Sequence, residues 1–154
     1  MKKVDELIFK VLCWACSGLM FGMMVVICAQ VLYRYVLDMP LPWSEELGRY
    51  IFVWMSFLGI AAAYYKGSHV AFDLLQSKLK GVAHKGLTVI LDLLTITLAL
   101  GLLVGGRALV QIGTLQRSPA LSLPMHFVFS VIPISGGIML YFALSKLFSR
   151  KDSM

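Results

Sequence analysis

The stretch that decides the fold is VLCWACSGLMFGMMVVICAQVL, residues Val11–Leu32, which contains no charged side chain. As a helix, these about 22 residues would reach ~33 Å, which is enough to cross the hydrocarbon core of a bilayer. Three further apolar runs follow it along the chain, and Asp92 is the only charged residue inside them. These runs are Tyr50–Tyr65, Leu87–Gly106 and Phe127–Ser145.

The composition agrees with a membrane protein. Hydrophobic residues make up 59% of the 154 residues, which is more than an ordinary soluble domain contains. We therefore predict an all-α, multi-pass membrane protein, with one four-helix transmembrane domain that covers residues 1–154. The expected spans are 11–33, 43–65, 86–106 and 127–148.

The distribution of lysines predicts the orientation. Lysines cluster at the N-terminus, in the Gly67–Lys85 connection and at the C-terminus, whereas the opposite flanks carry only arginines. By the positive-inside rule, both termini and the middle connection face the cytoplasm. This topology and contact with anionic phospholipid account for the net charge of +6. Nucleic acid is excluded as a partner, because the cations are spread over three membrane flanks instead of forming one patch.

Two connections carry helical patterns of their own. Apolar residues recur at helical spacing in Gly67–Lys85, which predicts an amphipathic helix at the cytoplasmic interface. The third helix is expected to project beyond Gly106, because Ala108–Gln116 keeps a helical pattern without proline. Ser118-Pro119 then ends it.

The chain lacks the residues that common enzyme and cofactor sites need. A haem in a helix bundle needs histidine ligands inside the membrane, whereas His69, His84 and His126 fall outside the predicted spans. Cys13-Trp-Ala-Cys16 has the spacing of a redox motif, but its setting in an apolar helix favours two small apolar residues. We therefore expect no enzyme activity and no cofactor in this chain.

Asp92 is the one carboxylate within an apolar run, and it allows two hypotheses. It lies near the cytoplasmic end of its helix, where it would reach interfacial water or pair with Lys85 or Lys66. The alternative is a coupling residue in a small proton-coupled exporter that works as a homo-oligomer. The first hypothesis is favoured, because a relay residue is expected deeper in the membrane.

The segment PLPWSEELGRY, Pro40–Tyr50, places two adjacent glutamates at the start of the second helix. Ser44 is expected to cap that helix, with both glutamates in its first turn. Glu45 and Arg49 have the i,i+4 spacing of an ion pair. Glu46 instead shares a face with aromatic residues, and that face would meet lipid headgroups or a partner protein. The aromatic residues are Trp43, Tyr50, Trp54 and Phe57.

These motifs carry a resemblance to a known family. Val31–Asp73 and Arg117–Leu140 resemble the small membrane subunit, of the DctQ type, of tripartite ATP-independent periplasmic (TRAP) transporters. The resemblance covers nearly the whole chain and includes its length and helix count. The matching motifs are Arg34-Tyr35, Pro42-Trp43 with Glu45-Glu46 and Arg49, Gly67-Ser68-His69 with Asp73, Ser118-Pro119-Ala120, and Pro124-Met125.

The resemblance implies a function in transport. In such systems a periplasmic binding protein captures an organic acid, such as a C4-dicarboxylate or a sialic acid. A large membrane subunit carries the sodium-coupled path and moves substrate by an elevator-type motion, so the sodium site is expected there. The small subunit is a non-catalytic scaffold that pairs with the large subunit in the bacterial inner membrane.

Besides this scaffold subunit and the proton-coupled exporter, a third hypothesis is a membrane anchor for a respiratory enzyme.

The candidate site residues form three groups. The predicted interface with the large subunit consists of Trp43, Glu46, Arg49, Tyr50 and Trp54. Structural support or contact with phospholipid is expected from Arg34, Glu45, His69 and Asp73. A docking surface for the periplasmic binding protein is expected at Arg117, Ser118, Pro119, Pro124 and Met125.

Overall fold

The computed structural model describes residues 2–39, 41–66 and 82–151, and it describes side chains for residues 3–39, 41–66 and 90–146. The predicted interfacial helix, with His69 and Asp73, lies outside the described residues. The helices are α1 (Lys2–Val36), α2 (Pro42–Tyr65), α3 (Val82–Gly113), α4 (Met125–Phe129) and α5 (Val131–Lys151).

Four helical segments are long and apolar enough to cross a membrane, which confirms the predicted all-α class. They are Lys3–Val36, Pro42–Tyr65, Ile90–Gly113 and Met125–Lys146. The first and third helices are longer than the expected spans 11–33 and 86–106. The predicted projection of the third helix is confirmed, because α3 continues to Gly113.

The fourth span consists of two helices, because α4 and α5 meet at Ser130 with one non-helical residue between them. Proline has no backbone N–H, so Pro133 cannot donate to the carbonyl of Phe129 four residues earlier. Helical hydrogen bonds continue around this point, from Ser130 N to His126 O at 3.0 Å and from Ile134 N to Ser130 O at 3.3 Å. The proline therefore interrupts the helix without ending the span.

Among the described residues, the long helices pack in the order α1, α2, α5, α3. The central position of α5 fits its burial, since the fourth span is the most buried of the four and those of α1 and α3 are the least buried. The core includes Leu58, Ala61, Ala99, Val131, Met139 and Phe142. The two outer helices, α1 and α3, therefore offer most of their surface to the surroundings.

Glycines allow close contact between α3 and its neighbours. A Cβ atom added to Gly106 would lie 2.7 Å from Pro133 Cδ, and one added to Gly136 would lie 3.0 Å from the carbonyl oxygen of Ala99. A Cβ atom at Gly113 would lie 2.8 Å from the backbone nitrogen of His126. No larger residue fits at these positions without a shift of the helices, so the contacts of α3 with α4 and α5 depend on glycine.

Candidate functional site: the carboxylate-bound loop

The start of α2 differs from the prediction. Leu41 has extended backbone (φ −101°, ψ 92°) and precedes the helix, and Pro42 occupies its first turn. Proline suits that position because its missing N–H would have no helical acceptor there. The expectation that Ser44 caps the helix is wrong, since Ser44 lies inside the first turn and its hydroxyl donates to the carbonyl of Leu41 at 2.7 Å. Of the two glutamates, only Glu45 lies in the first turn.

Residues 114–124, between α3 and α4, form a compact loop that we call the Glu46 loop. Backbone hydrogen bonds close it from Ser118 N to Leu123 O at 2.9 Å and from Met125 N to Gln116 O at 3.0 Å. The Ser118 hydroxyl also accepts from Leu123 N at 3.2 Å. Ser122 adopts a positive φ of 53°, which reverses the chain direction inside the loop. The loop thus has a defined conformation without regular secondary structure.

Glu46 binds the turn of this loop. One carboxylate oxygen accepts two backbone N–H groups, from Ala120 at 2.9 Å and from Leu121 at 3.0 Å. The other oxygen accepts the hydroxyl of Tyr50, one helical turn along α2. The Glu46 side chain is buried, so these N–H groups donate to a charged acceptor in place of water. Glu46 therefore connects α2 to a loop that follows it by more than 70 residues.

Tyr50 adds a second contact between α2 and the loop end. Its hydroxyl lies 3.3 Å from the sulfur of Met125, the first residue of α4. The phenol is thus placed between the Glu46 carboxylate and the beginning of the fourth span. Together, Glu46 and Tyr50 fix the position of the Glu46 loop relative to α2.

Glu45 and Arg49 form the predicted i,i+4 ion pair, with 3.6 Å between Arg49 Nη2 and Glu45 Oε1. Both side chains are about 70% exposed, at 72% for Glu45 and 69% for Arg49. Exposed pairs of this kind contribute little to stability. The two adjacent glutamates therefore have different environments, as helical spacing predicts.

The other predicted site residues of α1 and α2 vary in exposure. Arg34 is exposed in the last turn of α1, where a cation suits the helix C-terminus. Trp43 is 40% exposed, whereas Trp54 is half-buried and packs against the core. The predicted contact of Trp43 and Trp54 with a large subunit stays a prediction, and so does the predicted structural or phospholipid role of Arg34.

Four of the five predicted docking residues lie in the Glu46 loop, and the fifth, Met125, begins α4. Arg117 and Pro119 are exposed, and Pro124 and Met125 are half-buried. Ser118 is buried and bonds the backbone of its own loop. The accessible part of this group is therefore Arg117 and Pro119.

Two buried carboxylates lie at the opposite end of the bundle. Asp92 of α3 accepts from the Lys146 ammonium of α5 at 3.4 Å, so Asp92 is ion-paired as predicted, although Lys146 was not among the predicted partners. The side chain of Lys85, one of those partners, lies outside the described side chains. Lys146 also lies 5.7 Å above the ring of Tyr64. Asp5 of α1 accepts the Ser145 hydroxyl at 2.7 Å. Adjacent residues of α5 thus bind both outer helices.

Sequence reasoning missed Asp5, Ser145 and the donors of the Glu46 loop. Asp5 and Ser145 are 140 residues apart, and no local pattern links them. The available signal for the loop was the Ser118-Pro119-Ala120 motif, because such a turn leaves backbone N–H groups without acceptors. Among the described residues, no group of three or more His, Cys, Asp or Glu side chains is placed to hold a metal ion.

Comparison with known proteins identifies the family. The family described as "Tripartite ATP-independent periplasmic transporters, DctQ component" matches residues 23–151, which is most of the chain. The chain belongs to the DctQ family. The predicted resemblance is thereby confirmed, and membership makes the chain a component of a transporter and not an enzyme.

Three relatives of this DctQ chain carry different substrates in their names. The isethionate TRAP transporter permease protein DctMQ of Oleidesulfovibrio alaskensis is 31% identical over 78% of this chain and 20% of its own length. The sialic acid TRAP transporter small permease protein SiaQ of Vibrio cholerae is 28% identical over 85% of this chain and 76% of its own length. The C4-dicarboxylate TRAP transporter small permease protein DctQ of Rhodobacter capsulatus is 29% identical over 73% of this chain and 51% of its own length.

Proposed function

We propose that this chain is the non-catalytic scaffold subunit of a sodium-coupled, binding-protein-dependent importer in the bacterial inner membrane. It pairs with a large permease subunit that carries the sodium site and the substrate path. Family membership and the four apolar spans support the placement in a membrane transporter. The name DctMQ, for a permease of which this chain matches 20%, supports the pairing with a larger permease part.

The observation that carries the proposal is that groups of this same chain bind its described buried carboxylates. Asp5 is bound by Ser145, Glu46 by the Glu46 loop and Asp92 by Lys146, all within this chain. A transport path needs polar groups that exchange partners with the moving solute. Carboxylates that connect helices and loops suit a fixed scaffold instead. The proton-coupled exporter hypothesis loses its support, because its coupling residue, Asp92, connects α3 to α5.

We propose an organic anion as the substrate of the complete system. The names of the three relatives contain isethionate, sialic acid and C4-dicarboxylate, which all carry a carboxylate or a sulfonate group. A sialic acid or a C4-dicarboxylate is the class that we favour. Substrate choice belongs to the binding protein and the large subunit in this proposal.

The test is reconstitution into liposomes with the binding protein and an inward sodium gradient. We expect no uptake of radiolabelled sialic acid or C4-dicarboxylate with this chain alone. Uptake is expected when the large permease subunit of the same system is added, and it should fall when this chain is omitted. Robust uptake by this chain alone would overturn the scaffold proposal, and full uptake without it would show that it is dispensable.

The same preparation tests the predicted interfaces. Trp43→Ala should weaken co-purification with the large subunit more than Glu45→Gln does, because Trp43 offers a large aromatic surface. Arg117→Glu should slow uptake without changing co-purification if the Glu46 loop docks the binding protein. Arg34→Gln should reduce the amount of co-purified anionic phospholipid if Arg34 binds headgroups.

A further inference from the structure

The outward side of α3 is an apolar face that no other described part of the chain covers. It runs along Ile90, Leu94, Thr97, Gly101, Gly105, Ala108 and Ile112 and ends at Leu115 in the following turn, and all eight residues are exposed. We call this surface the outer α3 face. Its opposite side packs on α5 through Ala99, Leu102 and Gly106. The outer face is therefore the free side of an edge helix.

Polar side chains surround the C-terminal end of this face. Arg107 and Gln111 are exposed in the last turns of α3, and Thr114, Gln116 and Arg117 are exposed after the helix ends at Gly113. Ile112 and Leu115 nevertheless remain 52% and 88% exposed in this polar zone. Leu115 lies beyond the apolar span Ile90–Gly113, so a protein partner suits it better than lipid tails.

The middle of the face is shallow. Thr97, Gly101, Gly105 and Ala108 form a strip of small residues ~16 Å long, between larger side chains at both ends. A Cβ atom at Gly101 or Gly105 would meet nothing within 4 Å in the described structure, whereas one at Gly106 would meet Pro133 at 2.7 Å. Glycine inside a helix costs stability, and at Gly106 close packing offsets that cost. At Gly101 and Gly105 the chain itself offers no such offset.

The surface area of the chain also indicates a partner. It exposes 10679 Å², whereas a compact soluble monomer of its mass would expose ~7,800 Å². The bilayer covers some of this surface, and a permanently bound membrane subunit suits the remainder.

We infer that the outer α3 face is the surface on which the large permease subunit packs, in addition to the predicted contact at Trp43 and Arg49. This inference rests on the proposed function. The occupant is named from the isethionate relative, in which a stretch similar to this chain is one fifth of a single permease polypeptide. The other four fifths of that polypeptide are the neighbour that such a face would meet. A helix of the large subunit would lie across Gly101 and Gly105 and cover Ile112 and Leu115 at the end of the face.

The experiment uses the affinity-tagged full chain, co-expressed with the large permease subunit of the same transporter. The double variant Gly101→Leu/Gly105→Leu fills the strip without a clash inside the chain. It should leave thermal unfolding of the isolated chain unchanged or raised, and it should reduce co-purified large subunit at least tenfold. Gly106→Leu is the folding control, since it clashes with Pro133 and should lower the unfolding temperature of the isolated chain.

Gly18→Leu is the matched control on the other outer helix, because a Cβ atom at Gly18 also meets nothing within 4 Å in the described structure. Gly18 lies between the bulky, exposed Trp14 and Phe21, so a leucine there leaves the face of α1 similar in shape. We expect Gly18→Leu to keep the wild-type level of co-purification. Wild-type pull-down by the α3 double variant, or loss with Gly18→Leu alone, would overturn the inference. Failure of the wild-type chain to bind the large subunit would instead overturn the proposed function.

Photo-crosslinking identifies the occupant directly. A photo-reactive amino acid at position 101 should give a product with the mass of this chain plus the large subunit, and the same group at position 18 should not. A product with twice the mass of this chain would assign the face to a second copy and contradict the inference. Adducts with phospholipid alone would contradict it as well.

Discussion

The two ends of the helix bundle bind their buried carboxylates in different ways. At one end, Glu46 accepts two backbone N–H groups of the Glu46 loop and the hydroxyl of Tyr50. At the other end, Asp5 and Asp92 each accept a side chain of α5, from Ser145 and Lys146. The first arrangement gives a loop its conformation, and the second connects helices that are already formed.

The difference follows from what each segment lacks. A helix satisfies its own backbone groups, so an interhelical contact only adds to an existing structure. A loop without regular structure leaves N–H groups that need an acceptor when they are buried. We therefore expect the Glu46 end to respond more strongly than the opposite end to the loss of one carboxylate. The predictions below are ordered by the expected loss of thermal stability.

Glu46→Ala should have the largest effect. It leaves the N–H groups of Ala120 and Leu121 and the Tyr50 hydroxyl without their charged acceptor at a partly buried contact. The unfolding temperature should fall by about 5–10 °C, measured by differential scanning fluorimetry in detergent. The loop should also become the first site of cleavage in limited proteolysis, because its turn loses its connection to α2.

Glu46→Gln is the graded control for this prediction. Glutamine keeps one oxygen acceptor of similar size but loses the charge, so the loss should be about half of that for alanine. An equal and small effect of both variants would contradict the view that Glu46 determines the loop conformation. Unchanged proteolysis with a large loss of stability would place the effect in α2 and not in the loop.

The helices were predictable from sequence because each is long and apolar, a pattern that needs only local information. It was also predictable that Glu45 and Glu46 lie on different faces of the helix, since helical periodicity alone separates adjacent residues. The partners of the carboxylates were not predictable. For Asp92 the sequence indicated Lys85 or Lys66, which are near it in the predicted topology, but not Lys146, which reaches it because α5 lies beside α3. The packing order of helices depends on shape, such as that at Gly106 and Pro133, and no local spacing contains it.

The same limit applies to the Glu46 loop. Its prolines indicated a rigid connection, but the acceptor of its backbone N–H groups lies on another helix. Glu46 was interpreted as a surface residue because its helical face is aromatic. That face turns partly inward, as the packing of Trp54 against the core shows. A single sequence predicts on which face of a helix a residue lies, but it does not predict which other helix or loop packs against that face.

Ser145→Ala should have the second largest effect. It removes the hydroxyl that binds Asp5 and leaves a buried carboxylate with one donor fewer. The unfolding temperature should fall by about 3–5 °C, because one buried hydrogen bond to a charged group is lost. Asp5→Asn in the same background should add little if the two residues act as a pair. A full additional loss from Asp5→Asn would mean that Asp5 is bound mainly by other groups.

Lys146→Met should have a smaller effect than Ser145→Ala. The ammonium is more than half exposed, so water screens its attraction to Asp92, although Asp92 itself is buried. A fall of about 2 °C is expected in low salt, and it should shrink at high salt because the Lys146 charge is accessible to ions. A double-mutant cycle with Asp92→Asn measures the coupling. A loss as large as that of Glu46→Ala would contradict the proposed difference between the two ends.

Glu45→Gln should have the smallest effect, although Glu45 is the immediate neighbour of Glu46. Its pairing with Arg49 is exposed on both sides, so the expected change in unfolding temperature is below about 1 °C. Arg49→Gln should give a similarly small change, and the double variant should differ little from either single one. If Glu45→Gln lowers stability as much as Glu46→Gln, then charge at the start of α2, and not the acceptor of the loop, determines the stability of this end. The contrast between two adjacent carboxylates is therefore the most direct test that the loop depends on one particular side chain.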